Sequence, residues 1–392
     1  MSAGEQFLYD VVIVGAGPAG TLFAAGLAKS DPKLRIALID GQSRVHKPCG
    51  GLLAPDAQKA LAQLGLVLPR SVLSDPQIFA VETIDISQHC IRYYPRHYLN
   101  MDRYLFDRWL LSRVPGSVDI ITGRCIAVSG CTGRFSLTVE PEERRGSAVH
   151  DRTAGTAQPS DAPNRDGILK PLTITAAAVV GADGAGSIVR RTFFGRRVPK
   201  RLSLQQWFDL PGEGFPYYSC IFDSEVNDSC SWTVRKGRYV VFGGAFKMNG
   251  ARETFEIQKA RVEELLGRSF GAPVRTEACL LVCPESPGDF VTGMPGVYLL
   301  GEAAGFVSAS SFEGISSAII SAKMLADSFE TGRDAGGIAR EYRRRTRALR
   351  GRLSLKIVKR ALLCSPLWRR LIMKSGVCSI QVEQSEGHIV AE

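Results

Sequence analysis

Residues 9–20 read YDVVIVGAGPAG. The β-branched run Val11, Val12, Ile13, Val14 predicts a short strand buried on both faces. It runs into Gly15-Ala16-Gly17-Pro18-Ala19-Gly20, and small and apolar residues from Thr21 to Lys29 predict a helix directly after it. In such a turn Gly15 permits the sharp reversal, Gly17 lets the backbone approach a pyrophosphate, and Gly20 lets the helix sit close on the strand. Pro18 and Ala19 then open the helix, whose free N–H groups face the phosphate charge. Glycine-rich turns also serve purely structural ends. Here, however, a second apolar run, Leu34 to Ile39, ends in Asp40-Gly41, about twenty residues past the last glycine, where a ribose-binding acid belongs. Strand, glycines, helix, strand and acid in that order predict an adenine-dinucleotide site.

Working outward, 392 residues suggest two or three units at ~150 residues each. Hydrophobic residues at 45% and charged ones at 22% match an ordinary globular chain. Ten cysteines occur without a CxxC pair, so neither a zinc site nor a disulfide framework is indicated, and a reducing compartment suits them. Met1 to Gln6 lacks a basic-then-apolar leader, and no run of ~18 apolar residues follows anywhere. A cytoplasmic location is expected. The net charge of +10 is concentrated: residues 340–374 hold thirteen Lys/Arg and one acid, leaving the remainder near neutral.

The pattern along the chain predicts a helix over Asp56–Leu64, half-buried strand over Ile78–Tyr94, and a helix over Asn100–Arg113 with Tyr104, Leu105, Trp109 and Leu110 on one stripe. Val118–Val128, Phe135–Glu140 and Leu172–Val180 read as strands. Pro141–Lys170, poor in large apolar residues, reads as a flexible insertion in a surface sheet. Residues 202–246 read as a run of strands, Arg252–Arg268 as a helix, Leu280–Cys283 and Gly296–Leu300 as strands, and Ile315–Phe329 as a helix.

Three glycine–acid turns then stand out in order: GAGPAG at 15–20, GADGAGSIVRR at 181–191 and GEAAG at 301–305. Together they resemble the flavoprotein hydroxylase-like fold. Lys47-Pro48-Cys49-Gly50-Gly51, the helix bearing Arg103 and Phe106-Asp107, and the Ser231–Gly237 strand-turn narrow the resemblance to the geranylgeranyl reductase family, over most of Tyr9 to Phe329. The fold implied is α/β: a Rossmann-like FAD-binding domain (1–77, 96–200 and 291–330) with an inserted mixed or antiparallel sheet domain for substrate (78–95 and 201–290). The insertion at 141–170 and a basic helical region at 331–392 complete it.

The resemblance assigns FAD as cofactor. It implies that Gly15, Gly17 and Gly20 receive the pyrophosphate, Asp40 the adenosine ribose, and that Arg103 supplies countercharge to the diphosphate. Asp183 would order its turn, in a segment that serves both flavin pyrophosphate and nicotinamide donor in relatives; a carboxylate that simply caps the next helix is the other reading. Glu302, between Gly301 and Gly305, stands where the family has an aspartate for the ribityl chain and adds one methylene. Glu313, Gly314 and Ile315 would set a helix N-terminus at the flavin's pyrimidine edge. The Cys49-Gly50-Gly51 loop would pack beside the ring, where Cys49 either fills space or gates and protonates.

The function implied is reduction of carbon–carbon double bonds of an isoprenoid or other apolar substrate by hydride from reduced flavin, with a proton from a nearby donor or water. Trp207, Phe208, Phe222, Trp232 and Phe246 are candidates for the substrate wall, or else sheet core. A monooxygenase acting on an aromatic or peptidyl substrate, and a lipid- or partner-binding flavoprotein without turnover, are the alternatives on the same motifs. No second GxGxxG unit follows, so electrons come from docked NAD(P)H or from a protein donor. For the tail at 340–374, with a break at Pro366, three readings stand: peripheral contact with anionic lipid, a packed terminal helix with a solvated basic face, or attraction of a phosphate-bearing substrate. No nucleic-acid-reading motif accompanies the charge.

Overall fold

The computed structural model describes residues 9–41, 47–141, 170–195, 197–211 and 215–382. The decisive stretch folds as expected: β1 (Tyr9–Val14), α1 (Pro18–Ser30) and β2 (Ile36–Asp40). β1 and β2 pair in parallel from Val11↔Ile36 to Val14↔Ile39, and the residues of β2 are buried on both faces, as a parallel sheet under helices requires. The chain continues through β3 (Leu52–Leu53), α2 (Pro55–Gln63), β4 (Ile78–Asp85), β5 (Cys90–Asn100) and α3 (Arg103–Leu111). Next come β6 (Val118–Cys131), β7 (Arg134–Pro141), β8 (Leu172–Gly181), α4 (Ile188–Phe194), β9 (Lys200–Asp209), β10 (Tyr218–Phe222), β11 (Cys230–Lys236) and β12 (Tyr239–Phe246). α5 (Ala251–Leu266), β13 (Arg275–Val282), β14 (Gly293–Met294), β15 (Val297–Leu299), α6 (Ile315–Thr331), α7 (Ala335–Arg345), α8 (Arg347–Cys364) and α9 (Pro366–Ser375) complete the order.

Two sheets result. In the first, β6 and β8 each serve twice. Val118–Thr122 of β6 extend the parallel sheet beside β2, while residues from Gly123 onward turn away to pair antiparallel with β7. β8 closes that arm with its first half and lies between β1 and β15 with its second. The ends of β1, β2 and β8 therefore converge, and those ends carry the glycine motif, Asp40 and Asp183. The second sheet runs β13-β9-β12-β11-β10-β4-β5-β3, antiparallel except where β10 meets β4. α5 covers it, setting Phe255 and Val262 among Phe208, Phe242, Phe246 and Phe270.

Several expectations shift. The alternating run at 78–94 is two strands with a 3-10 turn, Ile86–Gln88, between them. The helix expected from Asn100 starts only at Arg103, because Asn100 remains in β5, its amide donating to the carbonyls of Pro76 and Arg235 at 2.8 Å. Asp102 caps that helix, accepting from the Leu105 N–H at 3.0 Å. Its buried stripe is Phe106, Trp109 and Leu110, with Tyr104 and Leu105 outside. Because β5 continues in the second sheet to Asn100, that sheet extends past the sequence boundary at 95/96. The insertion expected at 141–170 lies almost wholly outside the described residues. Pro366 does break the basic region, as the first residue of α9.

Candidate functional site

A cavity of about 620 Å3 opens where the two sheets meet, within the ~300–1,000 Å3 usual for a ligand site. One end is built from the three turns. A Cβ on Gly15 (φ +106°) would lie 2.6 Å from the Ala182 carbonyl oxygen, and one on Gly20 would lie 1.9 Å from that of Gly15, so neither position accepts a side chain. Gly17 faces open space and begins α1 without a side-chain cap. Together with Ala16, Pro18 and Ala19 it lines the cavity, beside Asp40 and Gly41. Backbone amides at an uncapped helix start, next to an open glycine, suit a phosphate anion.

Asp183 lines the same end. Its Oδ2 accepts from the Ile188 N–H at 2.7 Å, while Oδ1, also buried, has no hydrogen-bond partner among the described residues. Burial pushes this carboxyl above its ordinary range, against hydrogen bonds from Ser187 and the backbone of Ile188. The capping reading therefore accounts for Oδ2 and leaves Oδ1 without a protein partner among the described residues. Arg103 is buried at the start of α3, its Nε donating to Asp107 Oδ1 at 2.9 Å. Burial opposes its charge, but the Asp107 carboxylate and the Cys49 thiol outweigh that and hold the guanidinium cationic. An uncapped helix start, an orphaned carboxylate oxygen and a fixed cation in one groove fit the phosphate and ribose portions of FAD.

Glu302 also reaches the cavity, but its carboxylate is engaged. Oε2 pairs with Lys47 Nζ, and Oε1 accepts from the Val282 N–H at 3.0 Å. Burial works against the Lys47 charge and Glu302 restores it, so the ammonium is held above its ordinary value. Gly20, Gly301 and Gly305 stand behind the wall rather than in it; a Cβ on Gly305 would meet the Asp289 carbonyl oxygen at 2.5 Å. They shape backbone that other residues present.

The middle of the cavity is the Lys47–Leu52 loop. Cys49 Sγ accepts from the Gly51 N–H at 3.4 Å. Cys279, opposite, donates its thiol to the Pro48 carbonyl at 3.5 Å, and burial pushes that thiol up to about 11. Beneath the loop sits Lys236, buried, with Nζ donating to the carbonyl oxygens of Gly51 and Met101 at 2.8 Å and to Asn100 Oδ1.

The far end is aromatic: Tyr98, Tyr218, Trp232 and Phe312 line it, with Leu280. Glu313 accepts from Arg96 Nη2 at 3.1 and 3.0 Å and from the Tyr98 hydroxyl at 2.5 Å. Burial, then the Glu313 charge, hold the Tyr98 phenol protonated. Phe312 has φ +53°, a left-handed backbone costly for a bulky side chain, just before Glu313, Gly314 and Ile315 at the start of α6. Of the five aromatics expected in the wall, only Trp232 lies there, its Nε1 buried without a partner among the described residues. Phe208 and Phe246 belong to the core under α5, Phe222 lies under the Arg369 guanidinium, and Trp207 stacks with Arg275. Sequence reading gave no role to Tyr98 or Tyr218, nor to Lys47 and Lys236, which lie within the Lys47–Gly51 and Ser231–Gly237 stretches it singled out.

Fold and cavity together define a class by architecture, a dinucleotide-type parallel sheet joined to a second, mostly antiparallel sheet with a cavity between them, and solved FAD-dependent proteins share that fold. A solved geranylgeranyl bacteriochlorophyll reductase-like protein from Thermoplasma acidophilum superposes with a TM-score of 0.73 at 17% identity, covering 98% of this chain and 94% of that one. A probable FAD-dependent monooxygenase from Pseudomonas aeruginosa, PqsL, does so at 0.66 and 18% identity, covering 94% and 98%. The likeness to geranylgeranyl reductases expected from the motifs is therefore met at the level of fold. The model of the lycopene cyclase protein family matches residues 10–166. The chain belongs to the family of Protein CbrA, being 38% identical over 378 residues to that protein of Escherichia coli O6:H1, across 95% of this chain and 94% of the relative.

Proposed function

We propose that the chain is an FAD-dependent oxidoreductase that reduces carbon–carbon double bonds of an isoprenoid or similarly apolar substrate. The observation that carries the reading is the cavity's asymmetry: an anion- and ribose-binding end, then a thiol-bearing loop, then an aromatic end whose polar groups are largely spent on one another. FAD, when bound, would supply the hydride chemistry, with NAD(P)H or a protein donor as the source of its electrons. The chain's share is binding, orientation and dryness. Gly15, Gly17 and the start of α1 hold the pyrophosphate, Asp40 the ribose, and Arg103 the countercharge. Asp183 Oδ1 accepts from a cofactor donor.

Glu302 is held by Lys47, so its contact with the ribityl chain runs through that ammonium or requires the pair to open. Tyr98, Tyr218 and Trp232 enclose an apolar ligand without a carboxylate to repel it, since Glu313 is neutralised by Arg96. Cys49 Sγ, or water beside it, supplies the proton that completes reduction of the double bond. Isoprenoid chemistry is also named in the lycopene cyclase family model and the geranylgeranyl reductase-like structure.

The likeness to a probable monooxygenase supports a second reading, hydroxylation by the same bound cofactor. Pre-reduced, FAD-loaded protein mixed under argon with a polyprenyl substrate separates them. Return of the oxidised flavin spectrum with gain of two hydrogens per double bond establishes reduction. Re-oxidation and a hydroxylated product only after oxygen is admitted establish the second reading. Failure to take up FAD removes both.

A further inference from the structure

We infer that the outer face of α8 and α9 docks on an anionic lipid bilayer. The chain fixes the inner face of α9 first. Arg369 Nε donates to Asp85 Oδ2 at 2.5 Å with both side chains buried, and its guanidinium lies 4.8 Å from the Phe222 ring centroid. One turn on, the Met373 carbonyl accepts from Arg92 Nε at 2.9 Å, and Ile380 bridges to Tyr93 of β5. These latches turn Arg369 and Met373 toward the sheet. At 100° per residue, Leu367 and Leu371 then point the opposite way, with Trp368 on one flank and Arg370 and Lys374 on the other.

Their exposures agree: Leu367 is 64%, Trp368 51% and Leu371 52% exposed. α8 continues the surface. Its early residues Leu349 and Leu353 are buried in the core, whereas Leu355, Val358 and Leu362, spaced i, i+3, i+7, face outward. Arg352 and Lys359 border that stripe. Two successive helices, each with an apolar outer ridge and cationic margins, expose more apolar surface than single scattered leucines would.

Charge complementarity selects the occupant. Residues 347–375, which make up α8 and α9, carry nine Lys/Arg, of which only Arg369 is buried in an ion pair, and no acid, so a second copy would set this surface against its own like charges across a two-fold interface. An anionic bilayer matches both parts, since leucine and tryptophan enter the interfacial layer while arginine and lysine meet the headgroups. The position is apt as well: Lys359, lowered by burial and then by its neighbours Lys356 and Arg96, lies within electrostatic reach of Glu313 at the aromatic end of the cavity. Docking would hold that end near the bilayer. The inference stands whichever reaction the cavity performs, because its test reads binding and not turnover.

The test is flotation of the full FAD-loaded chain with vesicles of phosphatidylcholine alone, or with about a quarter phosphatidylglycerol. Wild-type protein should float with anionic vesicles, weakly with neutral ones, and be released by raised salt. Leu367→Asp/Leu371→Asp should abolish flotation with flavin content and melting temperature unchanged. Arg370→Gln/Lys374→Gln should weaken partition about twenty-five-fold, roughly fivefold per cation. Absence of flotation by the wild type, or equal flotation by the aspartate variant, overturns the inference. So does a wild-type dimer in lipid-free solution that the aspartate variant dissociates, which would assign the surface to self-association.

Discussion

Replacing Lys236 with methionine tests how the loop beneath the cavity is held. The Lys236 ammonium is buried and meets three oxygen acceptors, from Gly51, Met101 and Asn100. Burial pulls its pKa from 10.5 down to about 7, against the Cys49 and Asp102 side chains, which raise it. The native chain therefore releases this proton before the unfolded chain does. Below about pH 7 both states hold it and the full cost of burying the charge is present. Between about 7 and 10.5 the unfolded state binds more protons, so stability rises with pH by about 1.4 kcal/mol per unit. The methionine variant lacks that slope.

At pH 6 the substitution relieves roughly 5 kcal/mol of ammonium burial, since a pKa shift of one unit is worth about 1.4 kcal/mol. It also removes three charge-assisted hydrogen bonds of about 1.5–3 kcal/mol each. The net cost there is a small difference of large numbers. The change with pH is not: between pH 7 and 9.5 the stability lost by the variant should grow by about 3 kcal/mol. Denaturant titrations of both proteins across that range measure it, other titrating groups cancelling in the difference. Parallel pH curves would refute the reasoning and place Lys236 as a charge-neutral packing element.

Gly17→Val should leave the fold and melting temperature intact, because Gly17 faces open space. It should raise the FAD dissociation constant at least tenfold, read by flavin fluorescence, since its side chain would occupy the phosphate's approach. Arg369→Met leaves Asp85 buried and unpaired, and should cost about 3–5 kcal/mol, seen as rapid hydrogen exchange and early proteolysis in α9. Glu302→Gln removes the carboxylate partner of Lys47; FAD affinity should change less than tenfold, while Lys47 becomes readily acetylated by acetic anhydride, a gain that mass spectrometry of the peptide reports.

The parts of the site that were legible in the sequence are those whose function demands particular backbone. Gly15 and Gly20 are forced by carbonyls that approach where a Cβ would stand, and such demands leave a glycine spacing that can be read without coordinates. Pro366 was legible for the same reason, since a residue without an N–H can begin a helix but not continue one. The aromatic end was not. Which of Trp207, Phe208, Phe222, Trp232 and Phe246 faces a cavity depends on which face α5 covers, and that is set by contacts across long sequence separation. Composition is nearly blind to this, because a phenylalanine under a helix and one in a pocket wall are equally apolar. Asn100 shows the limit in another form: its helical neighbours suggested a helix, but side-chain bonds to Pro76 and Arg235 hold it in a strand.

Shared fold leaves chemistry open, because the cradle for FAD is the same whether the bound cofactor meets an alkene or oxygen. The choice must therefore lie with residues beyond the cradle, and here those residues are unusually self-contained. Glu313 gives its carboxylate to Arg96 and Tyr98, Glu302 gives its own to Lys47 and the Val282 amide, and Lys236 is committed to three oxygens under the loop. What remains facing the ligand is largely aromatic surface, aliphatic Leu280, two thiols, the unpartnered Trp232 Nε1 and the hydroxyls of a few residues such as Ser203, Ser316 and Tyr218. A strongly polar substrate would forfeit hydrogen bonds on entering a wall with so few free partners, at about 1–3 kcal/mol for each group left unmatched, whereas a hydrocarbon chain brings no polar group to desolvate. The same logic links cavity and tail: a ligand that suits this wall partitions into membranes, where α8 and α9 would meet it.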